Sequence, residues 1–208
     1  MTNILPMSNI QVYGLENAIR VSKYPMLPNI EDATEDIVPR TCKLGSCKTG
    51  TGHDQFLTGI VVQFDLTFTV KAWVEIERYK FMDFISSQST MHRIAKFDYD
   101  TCYNPYVDQR VIAIMKEKVD EYNNLVENRP DPKEFVYETM LDEKYLEILY
   151  TNPDGFTLTA GMTTNYRQLK TIYQQRKNHR LPEWRAFCKQ CEELPHFMEL
   201  CFSGKGEE

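Results

Sequence analysis

The sequence predicts an α/β fold of the α+β type, a central mostly antiparallel or mixed sheet flanked by helices. Three observations carry this. Residues 59–70, GIVVQFDLTFTV, alternate: Ile60, Val62, Phe64, Leu66, Phe68 and Val70 fall on one face, and Gln63, Asp65, Thr67 and Thr69 on the other. Such a strand suits an antiparallel or mixed sheet with one buried face. Residues 107–127 place Val111, Ile114, Met115, Val119, Tyr122 and Val126 at helical spacing. Near the end, Met162 to Arg176 reads as one amphipathic helix, and Pro182 opens another that runs to about Leu194.

The remaining elements follow in order. Residues 8–23 hold a short strand around Ile10 and Val12 and a short helical run through Leu15, Ala18, Ile19 and Val21. Residues 24–41 contain three prolines and an acidic cluster, and read as a loop. Cys42 to His53 has three glycines, two lysines and several hydroxyls, a flexible segment without Walker order. After the long strand, Ala72, Trp73, Ile76, Lys80, Met82, Phe84 and Ile85 suit a helix that ends in the polar cluster Gln88–Arg93. Asn128–Pro132 ends the 107–127 helix. Residues 133–150 read as helical to about Leu141, with a short strand or second helix near 145–150. Asn152-Pro-Asp-Gly155 is a turn, followed by a brief strand over 156–160. Thr163 or Thr164 is a candidate cap for the helix that follows.

The 208 residues fit a single domain over 1–208, with a frayed tail at 203–208. Net charge of −6 argues against a broad basic surface for nucleic acid, and leaves room for a local anion pocket. The N-terminal stretch has no basic segment leading into an apolar run, and no apolar stretch spans a membrane, so the expected location is the cytoplasm. The six cysteines are expected to be reduced there. Cys188 and Cys191 read as small hydrophobes on one helix face; a zinc site would need Cys42 and Cys47 brought alongside, and no metal is assigned.

On a helix, Gln88 would lie one turn before His92 and share its face. Gln, imidazole and guanidinium together suit an anionic, planar, hydrogen-bonding ligand, because Arg forks onto phosphate and Gln both donates and accepts. The plainer alternative is a solvated helix end. A second polar cluster, Asn165, Arg167, Arg176 and His179, runs along the later helix.

Taken in order, these pieces resemble the flavin-dependent thymidylate synthases, the ThyX family. Gly52-His53 stands where the family has its Gly-His segment, followed by the strand. Gln88 lies three residues before Met91-His92-Arg93, in place of the family's Arg-His-Arg. Asn165, Arg167, Leu169 and Arg176 match the family's late helix, and His179 to Trp184 its continuation. The agreement covers roughly residues 40–190. The chain departs at Met91 for the first arginine, Lys96 and Thr101 for serines, Tyr103 for the last arginine, and Thr58-Gly59 for a Glu-His pair.

The resemblance implies a ThyX-like fold and reductive methylation of dUMP to dTMP. The implied cofactors are FAD, which delivers hydride, NADPH, which reduces it, and methylenetetrahydrofolate, which gives the carbon. The protein then orients and polarises, and no protein nucleophile is needed. Arg176 and Gln88 are the implied catalytic pair. Arg176 would stabilise charge at the pyrimidine carbonyls, and Gln88 would fix the base. His53, His92, Arg93, Asn165, Arg167 and His179 would hold the flavin. Gln88, Thr101, Tyr103 and Arg176 would hold the nucleotide. A homotetramer is implied.

Bland readings stand beside these. His53 suits a surface position, Arg176 a carboxylate pair, Tyr103 a core position, and Cys102 a buried inert thiol. Two other functions remain open. One is C5 hydroxymethylation of another pyrimidine nucleotide. The other is a nucleotide-binding or regulatory protein without catalysis.

Overall fold

The computed structural model describes residues 5–128 and 135–203. Most of the Asn128–Pro132 break and the tail from 204 onward lie outside the described residues. The chain divides into two compact units. One comprises Met1–Thr67, Glu75–Ser86 and Ala160–Glu208, the other Phe68–Val74 and Ser87–Thr159.

The first unit carries nearly all of a four-stranded antiparallel sheet. Its strands are β1 (Met7–Tyr13), β2 (Val61–Thr69), β3 (Asp83–Ser87) and β4 (Thr157–Asn165), in the order β1-β2-β4-β3. The alternation in β2 holds: Val62, Phe64 and Leu66 are buried, while Val61, Gln63 and Asp65 are half-buried. β1 pairs antiparallel with β2, with an irregularity between Ser8 and Gln11 where Asn9 takes φ 50°. At the start of β1 the backbone of Met7 is met by a side chain: the Gln190 amide both accepts and donates at 2.8 Å.

Five helices of this unit matter for the site. They are α1 (Leu15–Val21), α2 (Pro39–Ser46), α7 (Tyr166–Arg176), α8 (Pro182–Glu192) and α9 (Phe197–Phe202). The core lies among Leu57, Ile60, Tyr166, Leu169, Trp184, Phe187 and Phe197, all fully buried. Cys188, Cys191 and Cys201 pack there as free, buried thiols. Gly45 permits the approach of α2 to α9, since a Cβ there would stand 2.2 Å from the Leu200 carbonyl oxygen.

The second unit joins α4 (Thr90–Arg93), α5 (Gln109–Glu127) and α6 (Phe135–Thr151) around an aromatic core. Phe97, Tyr99 and Tyr103 surround Phe156 at ring-centroid distances of 5.0, 6.4 and 5.6 Å. α5 faces α6 through Tyr122 and Tyr145, 5.1 Å apart, and through the Lys118–Glu147 and Lys144–Glu121 ion pairs.

Five expectations change. The helix expected over 72–85 is α3 (Val70–Ile76), a turn, and then the edge strand β3. All five β3 residues are exposed, so no buried stripe marked the strand. Gln88 therefore does not share a helix face with His92. It follows β3: its backbone N–H donates to the Thr159 carbonyl at 3.0 Å, its side-chain Oε1 accepts from Thr159 N, and only residues from Thr90 onward turn into α4. The helix expected from Met162 begins at Tyr166. Ala160, Met162 and Thr164 are buried and their neighbours half-buried, which is the period of a strand, and Asn165 supplies the cap. The segment expected to break near residue 141 is one helix, α6. The flexible glycine segment is shorter than expected, because α2 occupies its first residues.

Candidate functional site

The last turn of α7 carries Arg176, which is 8% exposed and held on three sides. Its Nε donates to the Tyr79 hydroxyl at 2.8 Å. Its Nη1 donates to Glu75 Oε2 at 2.7 Å and lies 2.8 Å from His179 Nε2. The guanidinium also stacks over the Trp184 ring at 4.9 Å. Glu75 Oε2 takes a further bond from Trp184 Nε1 at 3.0 Å. A cation in the last turn of a helix sits favourably in the helix dipole. Nη2 has no partner among the described residues.

Arg176 lines a cavity of about 380 Å³ together with Arg78, Tyr79, Lys80, Phe81, Gln168, Thr171 and Gln175. The cavity wall is cationic and amide-rich. It therefore suits an anion that also accepts hydrogen bonds from a planar edge.

The first turn of α7 is built differently. Asn165 caps it, its Oδ1 accepting from Gln168 N at 3.0 Å. Arg167 Nε and Lys170 Nζ both donate to the fully buried Asp54 carboxylate, at 2.9 and 3.0 Å. Lys170 also donates to the Gly45 and Cys47 carbonyls at 2.7 and 2.5 Å, so all three ammonium protons are engaged. Two cations at a helix N-terminus oppose the dipole. The buried carboxylate offsets them. Nearby, burial pushes the Cys201 thiol up to about 12, with Lys170 pulling it down and Asp54 raising it.

His53, next to Asp54, is exposed and lines a second cavity of about 620 Å³ with Arg40, Gly52, Thr58, Gly59 and residues of α1. Arg167 reaches Asp54 through Nε alone, which leaves both terminal nitrogens without a partner among the described residues.

In the second unit, His92 and Arg93 are exposed on α4, and their side chains have no partner among the described residues. Gln88 Oε1 accepts from Thr159 N at 2.9 Å, leaving its amide nitrogen as a donor. The Thr101 hydroxyl donates to the Asp98 carboxylate at 2.9 Å. The Asp100 amide and that hydroxyl hold Asp98 below its usual range. Tyr103 is half-buried in the aromatic core and donates to Asn152 at 2.9 Å. Burial drives its phenol well above the ordinary value. Burial likewise pushes the Cys102 thiol up to about 11, which makes it a poor nucleophile.

The structure thus brings Arg176 and His179 into contact and ties Arg167 to the residue after His53. It places Gln88, His92, Arg93, Thr101 and Tyr103 in the other unit. Sequence reading missed Glu75, Tyr79, Asp54 and Lys170. Glu75 lies 101 residues from Arg176, and Asp54 lies 116 from Lys170. No local pattern links such pairs.

No protein-family model matches the sequence. No curated protein matches it either. Solved structures share its fold. One is a flavin-dependent thymidylate synthase ThyX from Helicobacter pylori complexed with FAD and dUMP, with a TM-score of 0.65 and 13% identity over 94% of this chain and 98% of that one. Another structure of Helicobacter pylori ThyX with FAD and dUMP gives 0.64 and 14%, over 95% of this chain and 97% of that one. The chain therefore has the ThyX fold.

Proposed function

We propose that this ThyX-fold chain is a flavin-dependent thymidylate synthase-like enzyme. It would reductively methylate dUMP to dTMP with FAD, methylenetetrahydrofolate and NADPH, as a single-domain homotetramer in the cytoplasm. The observation that carries this is the fold shared over 94% of the chain with an enzyme whose structure holds FAD and dUMP.

The donor sets suit such ligands. In the first unit, His53, Asn165, Arg167 and His179 are the proposed flavin ligands. Both terminal nitrogens of Arg167 are without partners among the described residues, which fits an anionic dinucleotide. In the second unit, the exposed His92 and Arg93 are the proposed flavin ligands. When bound, FAD supplies the hydride chemistry. Arg176, fixed by Glu75, Tyr79 and His179, would hold its free Nη2 toward a carbonyl oxygen and stabilise charge gathering there. Gln88 would present its amide nitrogen to the base. Thr101 and Tyr103 complete the proposed nucleotide set.

The test is an absorbance scan of the purified chain after adding FAD and gel filtration. A retained flavin band that changes on adding dUMP is expected. No retained flavin, with or without dUMP, would overturn the reading.

A second reading is a nucleotide-binding protein without catalysis. It is favoured by Met91, Thr58, Gly59 and Tyr103, which stand where the family has its motif arginines and Glu-His pair. Product analysis with all cofactors present separates the readings. dTMP supports the synthase, a hydroxymethyl nucleotide the related one-carbon transfer, and unchanged dUMP beside retained flavin the binding protein.

A further inference from the structure

We propose that the cavity at Arg176 is a phosphomonoester subsite in which Arg78 and Lys80 hold the dianionic phosphate of a nucleoside monophosphate. This deepens the nucleotide reading above and rests on it.

The cavity's volume of about 380 Å³ falls in the range of small-molecule sites and suits one mononucleotide. Three cations line it and no carboxylate does, among the described residues. Of the three, Arg176 alone has an acidic partner. Arg78 and Lys80 are exposed and have no hydrogen-bond or ion-pair partner among the described residues. Two unneutralised cations two residues apart are an electrostatic cost that a dianion removes.

The segment that carries them is fixed. Tyr79, between them, is 8% exposed, donates to Gln175 Oε1 at 2.9 Å and accepts from Arg176. Its backbone closes turns to Ile76 at 2.8 Å and from Met82 at 3.2 Å. A buried anchor with a cation on either side is a prearranged holder rather than a mobile pair. Deeper in, Arg176 is nine-tenths buried with Nη2 unpartnered, and Gln175 keeps its amide nitrogen after its oxygen is taken. These are donors for the carbonyl oxygens of a base, with Gln168 as donor or acceptor.

The loop over residues 98–103 offers the phosphate little. Tyr103 stands where the resemblance expects an arginine, and the Thr101 and Tyr103 hydroxyls are both engaged within the protein.

The experiment is calorimetric titration of the full chain with dUMP, deoxyuridine and inorganic phosphate, repeated on the Arg78→Gln/Lys80→Gln double variant. Both positions are exposed, so the variant folds. Wild-type protein should bind dUMP at least tenfold more tightly than deoxyuridine, with the preference falling as salt rises. The double variant should lose that preference and leave deoxyuridine affinity unchanged. If the variant keeps the preference for dUMP, the subsite is overturned and the enzyme reading stands. If phosphate binds through Arg78 and Lys80 while dUMP binds no better, the anion subsite holds and the dUMP reading fails. If the wild-type chain binds neither dUMP nor phosphate, the subsite is overturned, and the flavin scan then decides the enzyme reading by itself.

Discussion

The two ends of α7 each gather a carboxylate from a distant segment onto helix cations, and they do it differently. At the first turn, Asp54 is fully buried between Arg167 and Lys170, and every ammonium proton of Lys170 has an acceptor. At the last turn, Glu75 meets Arg176 in a partly open network. Trp184, Tyr79 and His179 complete it, and one guanidinium nitrogen remains free beside a cavity. In the first cluster Lys170 is saturated and holds a loop, while Arg167 keeps both terminal nitrogens free among the described residues. The second is ordered yet unsaturated, which is the condition for binding something else. A helix tolerates cations at its C-terminal turn without help, so that end has donors to spare, while the N-terminal end needs its carboxylate.

The largest break in this comparison comes from Asp54→Asn. It leaves Lys170, 1% exposed, with no counter-charge, and the expected loss is about 4 kcal/mol of unfolding free energy, read by urea denaturation. A loss under about 1 kcal/mol would show that the Asp54–Lys170 pair is not the clamp described.

Glu75→Gln sharpens the other end. The pair is partly exposed and the amide oxygen still accepts, so the expected loss is about 2 kcal/mol. Arg176 would then be held less firmly, and dUMP affinity should fall severalfold. An unchanged dUMP titration would remove Glu75 as a positioning residue.

The smallest effect is with alkali. Burial pushes Cys188 and Cys201, one near each end of α7, up to about 12 from an ordinary value of 9. A thiol raised in the folded state contributes stability fully below its unfolded value and loses it as pH rises toward the folded one. Thermal midpoints should therefore be flat to about pH 9 and fall between pH 9 and 12. Cys188→Ser and Cys201→Ser should each shrink that fall. Equal slopes in wild type and variants would assign it to other groups.

The readable parts of the fold were those with a local period and a strong apolar contrast. β2 was placed within two residues at its N-terminal end and one at its C-terminal end, because Val62, Phe64, Leu66 and Phe68 alternate without interruption. α5 and α8 were placed by apolar spacing, Asp108 and Pro182 marking their first turns. β4 was read half as helix because its buried face is Ala160, Met162 and Thr164, small or weakly apolar residues that give little contrast. β3 was missed because nothing on it is buried.

The sequence by itself determined an α+β chain with one strongly amphipathic strand and capped late helices. It also determined the order of polar residues that resembles the ThyX family. Only the tertiary structure decided that Gln88 follows a strand, that Asn165 caps α7, that Tyr103 lies in an aromatic core, and which acid meets which base. Periodicity is written into neighbouring residues, because a helix or strand repeats every few positions. Charge pairing is closed across 101 and 116 residues by packing, and no neighbouring residue records it.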